Sequence, residues 1–236
     1  MGYIFALSCI KWEANQIVSG AAINILAVGL TGFFLFEVFG FHGSSPAVAK
    51  MPLLDLPWMD KLPLLGHPLR VMIFQQSPLF VISILLVAFA WLLLYKTPLG
   101  LRWRAVGENP LAAETIGVRV RRLRYLAVVA SGLLAALGGA QLSLGDLSQF
   151  VERMTAGRGF IALAALILGR WKPWQVLAAC LFFGFADALA DSLQSVGFGI
   201  PPELFLALPF ILTIIVLAGF IGEIRPPAAL GKTYRR

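Results

Sequence analysis

Charge is the scarcest property of this chain. Asp, Glu, Lys and Arg make up 13% of its 236 residues, against about 25% in typical soluble domains. Two cysteines, Cys9 and Cys180, provide no disulfide framework and no zinc ligand set. Cys180 falls in an apolar run and reads as a small packing residue. The only two histidines, His42 and His67, lie in a proline-rich stretch and read as solvated side chains rather than catalytic ones. The chain has no phosphate-binding glycine loop, no Ser/His/Asp arrangement and no metal-ligand cluster. An enzyme is therefore not expected, and neither a cofactor nor a metal is called for. "YIFALSCI" has no basic region before it and no convincing cleavage site after it, so it does not read as a secretory signal, and insertion must rely on internal helices.

What fills the chain instead is apolar. Hydrophobic residues make up 59%, against about 45–50% in soluble proteins. With lipid as the solvent, the expectation is one all-α, polytopic domain over residues 1–236. A spanning helix needs about 20 apolar residues. Five segments qualify: Asn15 to Phe36, Pro78 to Tyr95, Leu123 to Gly145, Pro173 to Val196 and Leu204 to Gly222. A sixth, Gly159 to Leu168, is cut short by Gly169, Arg170 and Lys172. It reads either as a re-entrant or gating helix or as a span extended by its flanks. The count is thus about six transmembrane or re-entrant helices.

Basic residues divide unevenly between the two sides these segments define. Fourteen fall on one side: Lys11, Lys96, Arg102, Arg104, Arg119, Arg121, Arg122, Arg124, Arg170, Lys172, Arg225, Lys232, Arg235 and Arg236. Five fall on the other: Lys50, Lys61, Arg70, Arg153 and Arg158. Cytoplasmic loops carry the Lys and Arg excess. Both termini and the 96–122 loop are therefore expected inside the cell. The net charge of +7 is a topology signal, and no soluble fold with interleaved aromatics supports a nucleic-acid partner. Residues 39–77 carry Pro46, Pro52, Pro57, Pro63 and Pro68, which forbid a continuous span. They read as an irregular extracytoplasmic loop, anchored at the lipid interface by Trp58. A spacer and a role in receiving substrate both remain open for it.

Inside the basic loop lies "GENPLAAETIGV", Gly107 to Val118. Asn109 is a good N-cap, Pro110 suits the first helical position, and Gly117 suits the stop. So short a helix is unstable by itself and must lie against something. Docking of a soluble partner and an ordinary interfacial loop are both compatible with these residues. The surrounding stretch, "TPLGLRWRAVGENPLAAETIGVRVRRLRYLAVVASGLLAALGGAQLSLG", resembles the permease subunits of bacterial ABC importers for sugars, branched-chain amino acids and nucleosides. "ANQIVSGAAINILAVGLTGFF", "MTAGRGFIALAALILGRWKPW" and "RPPAALGKTY" are similar to the nucleoside branch in particular.

The resemblance implies that this loop holds a coupling helix fitting a cleft on a separate cytoplasmic ATPase. The residues carried over are Gly107, Glu108, Asn109, Pro110, Ala112, Ala113, Glu114 and Gly117. Ala112 and Ala113 are expected to offer small faces to the groove, and Glu114 to meet a basic partner. It further implies a second permease subunit, identical or different, an extracytoplasmic substrate-binding lipoprotein and a place in the bacterial inner membrane. Sugars or branched-chain amino acids are the alternative cargoes. Members of this family usually carry further membrane segments ahead of the "ANQIVSG" helix, so the resemblance implies either a chain shortened at its N-terminus or helices that are dispensable.

Polar residues within the spans are candidates for the path. Gln16, Gly20, Asn24, Ala27 and Thr31 recur at helical spacing on one face. Such a face serves helix packing in lipid as well as a path; Asn24, near mid-span, and Thr31 are the candidates to meet substrate. Gly132, Ala136 and Ala140 beside Ser131, Ala135, Gly139 and Ser143 form small-residue stripes suited to close packing. Asp187 and Asp191, four apart, share a face with Gln194. An acid within a span costs about 2.5–3.5 kcal/mol on insertion scales, so these should face a cavity or pair with Arg153 or Arg158. A proton-coupled secondary transporter using the two acids is the rival mechanism, and a non-transporting scaffold a third. The absence of an internal repeat weighs against the secondary transporter.

Overall fold

The computed structural model describes residues 1–52, 77–196, 226–232 and 234. Trp58, His67, Lys61, Arg70, the Leu204 to Gly222 segment, Arg225, Arg235 and Arg236 lie outside the described residues.

A short helix α1 (Gly2–Ala6) widens into a π-helical turn over Leu7–Lys11. Helix α2 (Gln16–Phe39) starts at Asn15, whose Oδ1 accepts from the Ile17 and Val18 amides at 2.9 and 3.3 Å. It stops at Gly40, which is left-handed at φ 76° and donates its N–H to the Phe36 carbonyl, the arrangement glycine permits at a helix end. Prolines open the next three helices, α3 (Pro78–Lys96), α4 (Pro98–Glu108) and α5 (Pro110–Thr115), each where a missing N–H costs nothing. Helix α6 (Val120–Ala140) runs on into a π-helical turn over Gln141–Asp146. Helices α7 (Arg158–Leu168) and α8 (Pro173–Val196) complete the described elements.

Among the described residues four segments are long and apolar enough to cross a membrane: Gln16–Phe39, Pro78–Lys96, Val120–Asp146 and Pro173–Gln194. The all-α polytopic reading is what the structure shows. The open case was the short segment, which forms an 11-residue helix. At 1.5 Å per residue it reaches about 16 Å, roughly half the ~30 Å hydrocarbon thickness. No helical flank extends it. Gly169 turns it directly into α8, through Arg170 and Trp171 at φ 49° and 61°. A Cβ at Gly169 would lie 2.5 Å from the Val176 nitrogen, so only glycine allows the hairpin to close so tightly. Across it Ala165 packs with Ala179 and Phe183, flanked by Ile161, Ala164 and Leu168.

Two ends of the molecule are distinct. At one, the segment after α2 pairs with the loop after α6: Ser44 bridges Val151, and Ser45 and Val48 amides donate to the Phe150 and Ser148 carbonyls at 2.8 Å. Ser77, at the start of α3, donates to Gln141 Oε1 there. Helices α3 and α6 lead from this end to the other, where α4, α5 and the start of α6 gather. The 39–52 segment and the Gly107–Val118 segment therefore lie at opposite ends of α3 and α6. The α3–α4 corner is glycine-dependent, because a Cβ at Gly100 would lie 2.0 Å from the Leu93 carbonyl oxygen. Residues 2–11, which do not read as a secretory signal, pack α1 along α6, where Gly2 and Gly132 meet so closely that a Cβ on Gly132 would lie 3.0 Å from the Gly2 Cα. The Gly132 part of the small-residue stripe thus packs inside this chain. Gly138 and Gly139 have nothing within 4 Å of a Cβ position.

Candidate functional site, a capped helix on a closed base

Helix α5 is built as its sequence foretells. Asn109 is extended at φ −142°, ψ 95°, and its Oδ1 accepts from the Ala112 amide at 3.1 Å. Pro110 follows at the first helical position. Thr115 donates its hydroxyl back to the Ala112 carbonyl at 2.8 Å. At the far end Gly117 is left-handed at φ 83°. Its N–H reaches the Glu114 carbonyl and the Val118 N–H reaches that of Ala113, at 2.9 and 3.1 Å.

The helix lies on a small core of Val106, Ala113, Val120, Leu123 and Tyr234, with Trp103, Ala105 and Val118 packed around it. Trp103 Nε1 donates to the Leu123 carbonyl at 3.0 Å, tying α4 to α6 beneath α5. Ala113 is 2% exposed. The expected small outward face at Ala113 is therefore corrected: its methyl fills the base of the helix, against Val106 of α4 and Val120 of α6. Ala112 does face outward. On a helical wheel Leu111, Thr115, Ala112 and Ile116 are contiguous, and all four are exposed. Leu111 at 60% and Ile116 at 77% exposure are the large apolar members of this face, and the sequence reading passed over both. Their signal was present: two bulky aliphatics on a short helix that no spanning segment needs.

Glu114 is also placed differently from expectation. It is half-buried, and its carboxylate accepts the hydroxyl of Tyr234 from the C-terminal tail. Gly107 and Glu108, at the end of α4, meet the same tail: the Ala229 N–H donates to the Gly107 carbonyl at 2.9 Å and the Ala228 N–H to Glu108 Oε2 at 3.4 Å. Beside α5, a cleft of about 710 Å³ between α4 and α6 is lined by Leu101, Ile116 and Leu126 with Arg102, Arg119 and Arg122.

The path candidates are not gathered into one site. On α2, Asn24 and Thr31 are exposed. The Thr31 hydroxyl is held by its own helix, donating to the Ala27 carbonyl at 2.8 Å. At the other end of that stripe Gly20 faces Phe5 of α1, 3.9 Å from a Cβ position. Asp187 is half-buried at the edge of the α8 face that packs on α7, while Asp191 and Gln194 are exposed. Neither acid pairs with Arg153 or Arg158 among the described residues. The contact found there joins His42 Nδ1 to Glu152 Oε1 at 3.4 Å, with the His42 ring stacked on Phe36. No group of three His, Cys, Asp or Glu side chains positioned for a metal occurs among the described residues.

Span-length apolar helices joined by a capped loop on a closed base define a polytopic membrane protein. The chain belongs to the family described as branched-chain amino acid transport system / permease component, which matches residues 1–217. Its role is that of a transport permease rather than a catalyst. It is 40% identical to the guanosine ABC transporter permease protein NupQ of Bacillus subtilis, over 98% of this chain and 72% of that protein. It is 37% identical to the nucleoside ABC transporter permease protein NupC of Lactococcus lactis, again over 98% and 72%. A putative glucose ABC transporter permease protein, TsgC13 of Haloferax volcanii, is 35% identical over 86% of this chain and 60% of its own length. No solved structure matches the chain.

Proposed function

We propose that this chain is the membrane-spanning permease subunit of an ATP-driven importer for nucleosides, and that a separate cytoplasmic ATPase moves it through α5. The observation that carries the coupling role is the two-sidedness of α5. Its inner face is sealed on α4, α6 and the tail, while Leu111, Ala112, Thr115 and Ile116 are left outward. Apolar anchors on a rigid base are what a partner's groove binds. The basic excess around this loop supports a cytoplasmic position for it and for both termini. Nucleoside as cargo is supported by the relatives NupQ and NupC, named for guanosine and nucleosides, which match more of their own length than the glucose-named relative does. A second permease and an extracytoplasmic receptor complete the assembly. Lactococcus lactis has two nucleoside permease proteins, NupB and NupC, both similar to this chain, which favours a heterodimer.

The test is Ala112→Arg. It adds bulk and charge on the outward face while nearly preserving helix propensity. The protein should reach the membrane at normal levels, the ATPase should no longer co-purify, and uptake should stop. Normal ATPase binding with intact uptake would reduce α5 to a connecting loop.

A further inference from the structure

The six residues of α5 are too few to hold their own orientation, so something must keep the helix from pivoting when a partner pushes on it. The C-terminal tail makes contacts suited to that. Tyr234 is 9% exposed and lies in the core under Ala113. Its hydroxyl donates to the Glu114 carboxylate on α5. The Arg124 guanidinium of α6 sits over its ring, 5.4 Å from the centroid, and Arg124 Nη1 donates to the Lys232 carbonyl at 3.2 Å. Earlier in the tail, the Ala228 and Ala229 amides bind Glu108 and Gly107 at the end of α4. One short segment thus joins α4, α5 and α6 at the point where they converge.

We infer that the tail is the positioning element of the coupling helix, with the Tyr234–Glu114 hydrogen bond as the link through which movement of α5 is passed to α6. This rests on the coupling role proposed above. A buried aromatic ring fixes the base. A hydrogen bond to an ionised carboxylate is stronger and more directional than a neutral one, and it restrains rotation of α5, which packing around a single methyl does not. Tyr234 is therefore a positioning residue: it lies beneath α5, away from the outward face, and acts through Glu114.

The experiment uses the complete transporter, with its ATPase, second permease and receptor, in proteoliposomes, and measures ATP hydrolysed per nucleoside imported. Tyr234→Phe keeps the ring and removes only the donor. Glu114→Ala removes the acceptor, whereas Glu114→Gln retains an accepting oxygen. Tyr234→Phe and Glu114→Ala should each raise the ratio about tenfold, the factor that one hydrogen bond to a charged group carries. The ATPase should remain bound in both. The double variant should be no worse than either single one, and Glu114→Gln, which keeps an accepting oxygen without the charge, should fall between the parent and Glu114→Ala. An unchanged ratio in Tyr234→Phe, or additive losses in the double variant, overturns the role of the tail. If Ala112→Arg meanwhile releases the ATPase, the coupling helix itself stands. If Ala112→Arg leaves the ATPase bound and coupled, both readings fall together.

Discussion

Helices α5 and α2 are opposites. One has six residues, three kinds of end cap and a buried inner face; the other has 24 residues and buries only Leu35. Ile17, Ile25, Phe33 and Phe34 of α2 are all more than half exposed. A soluble protein could not leave so long an apolar helix uncovered. A chain dissolved in lipid can, because the backbone of α2 is satisfied internally and its side chains need only an apolar surround. The small helix has no such recourse. Too short to hold itself, it must close its own core, and it recruits α4, α6 and the tail to do so. The α5 end is built by this chain, whereas the surfaces of the spans are completed by lipid and, in our proposal, by a second permease.

The sharpest way to break this comparison is to charge the base of α5. Ala113→Arg would place a guanidinium among Val106, Val120 and Leu123 and should cost about 3 kcal/mol or more. Ala112→Arg, one residue away but outward, should cost no more than about 0.5 kcal/mol. Thermal unfolding of the detergent-solubilised variants measures both. Equal stabilities would mean that α5 lies loosely on the chain.

Glycines sharpen it further. Gly100→Ala should disrupt the α3–α4 corner, since the new methyl would collide with the Leu93 carbonyl, and the protein should fail to accumulate. Gly138→Ala meets nothing within 4 Å and should be neutral or slightly stabilising, by about 0.5–1 kcal/mol from helix propensity. If Gly138→Ala leaves stability intact but lowers uptake, that part of the stripe is where the second permease packs.

The smallest effects are expected at the acids of α8. Asp187→Asn and Asp191→Asn should lower uptake without abolishing it, and uptake should survive a protonophore while ATP is maintained. Complete loss in either variant, together with collapse under the protonophore, would favour proton coupling.

Much of this was legible from residue types. Asn109, Pro110 and Gly117 announce where α5 starts and stops because capping is local chemistry. The spans announce themselves through apolar runs of sufficient length. The direction of Ala113 was not legible: six residues hold too little periodicity to define an inner face, and one wall of that face, Tyr234, lies 120 positions beyond Glu114 in the chain. The hydrogen bonds of the tail to Gly107 and Glu108 depend on how the chain returns, which no local pattern encodes. Residues 2–11 lack the features of a signal sequence, and no local pattern shows that Gly2 makes a close approach to Gly132. For the short segment after Arg158, composition left two lengths open, and the helix has the shorter, 11 residues ending at the tight turn of Gly169.

The contrast between the two helices can be read directly by photo-crosslinking in the assembled transporter. A benzophenone side chain in place of Ala112 should yield an adduct with the ATPase subunit, and the same probe in place of Phe33 on α2 should yield adducts with lipid or the second permease and none with the ATPase. Failure of the probe at position 112 to capture the ATPase, or its capture from position 33, would contradict the assignment of α5 as the coupling element.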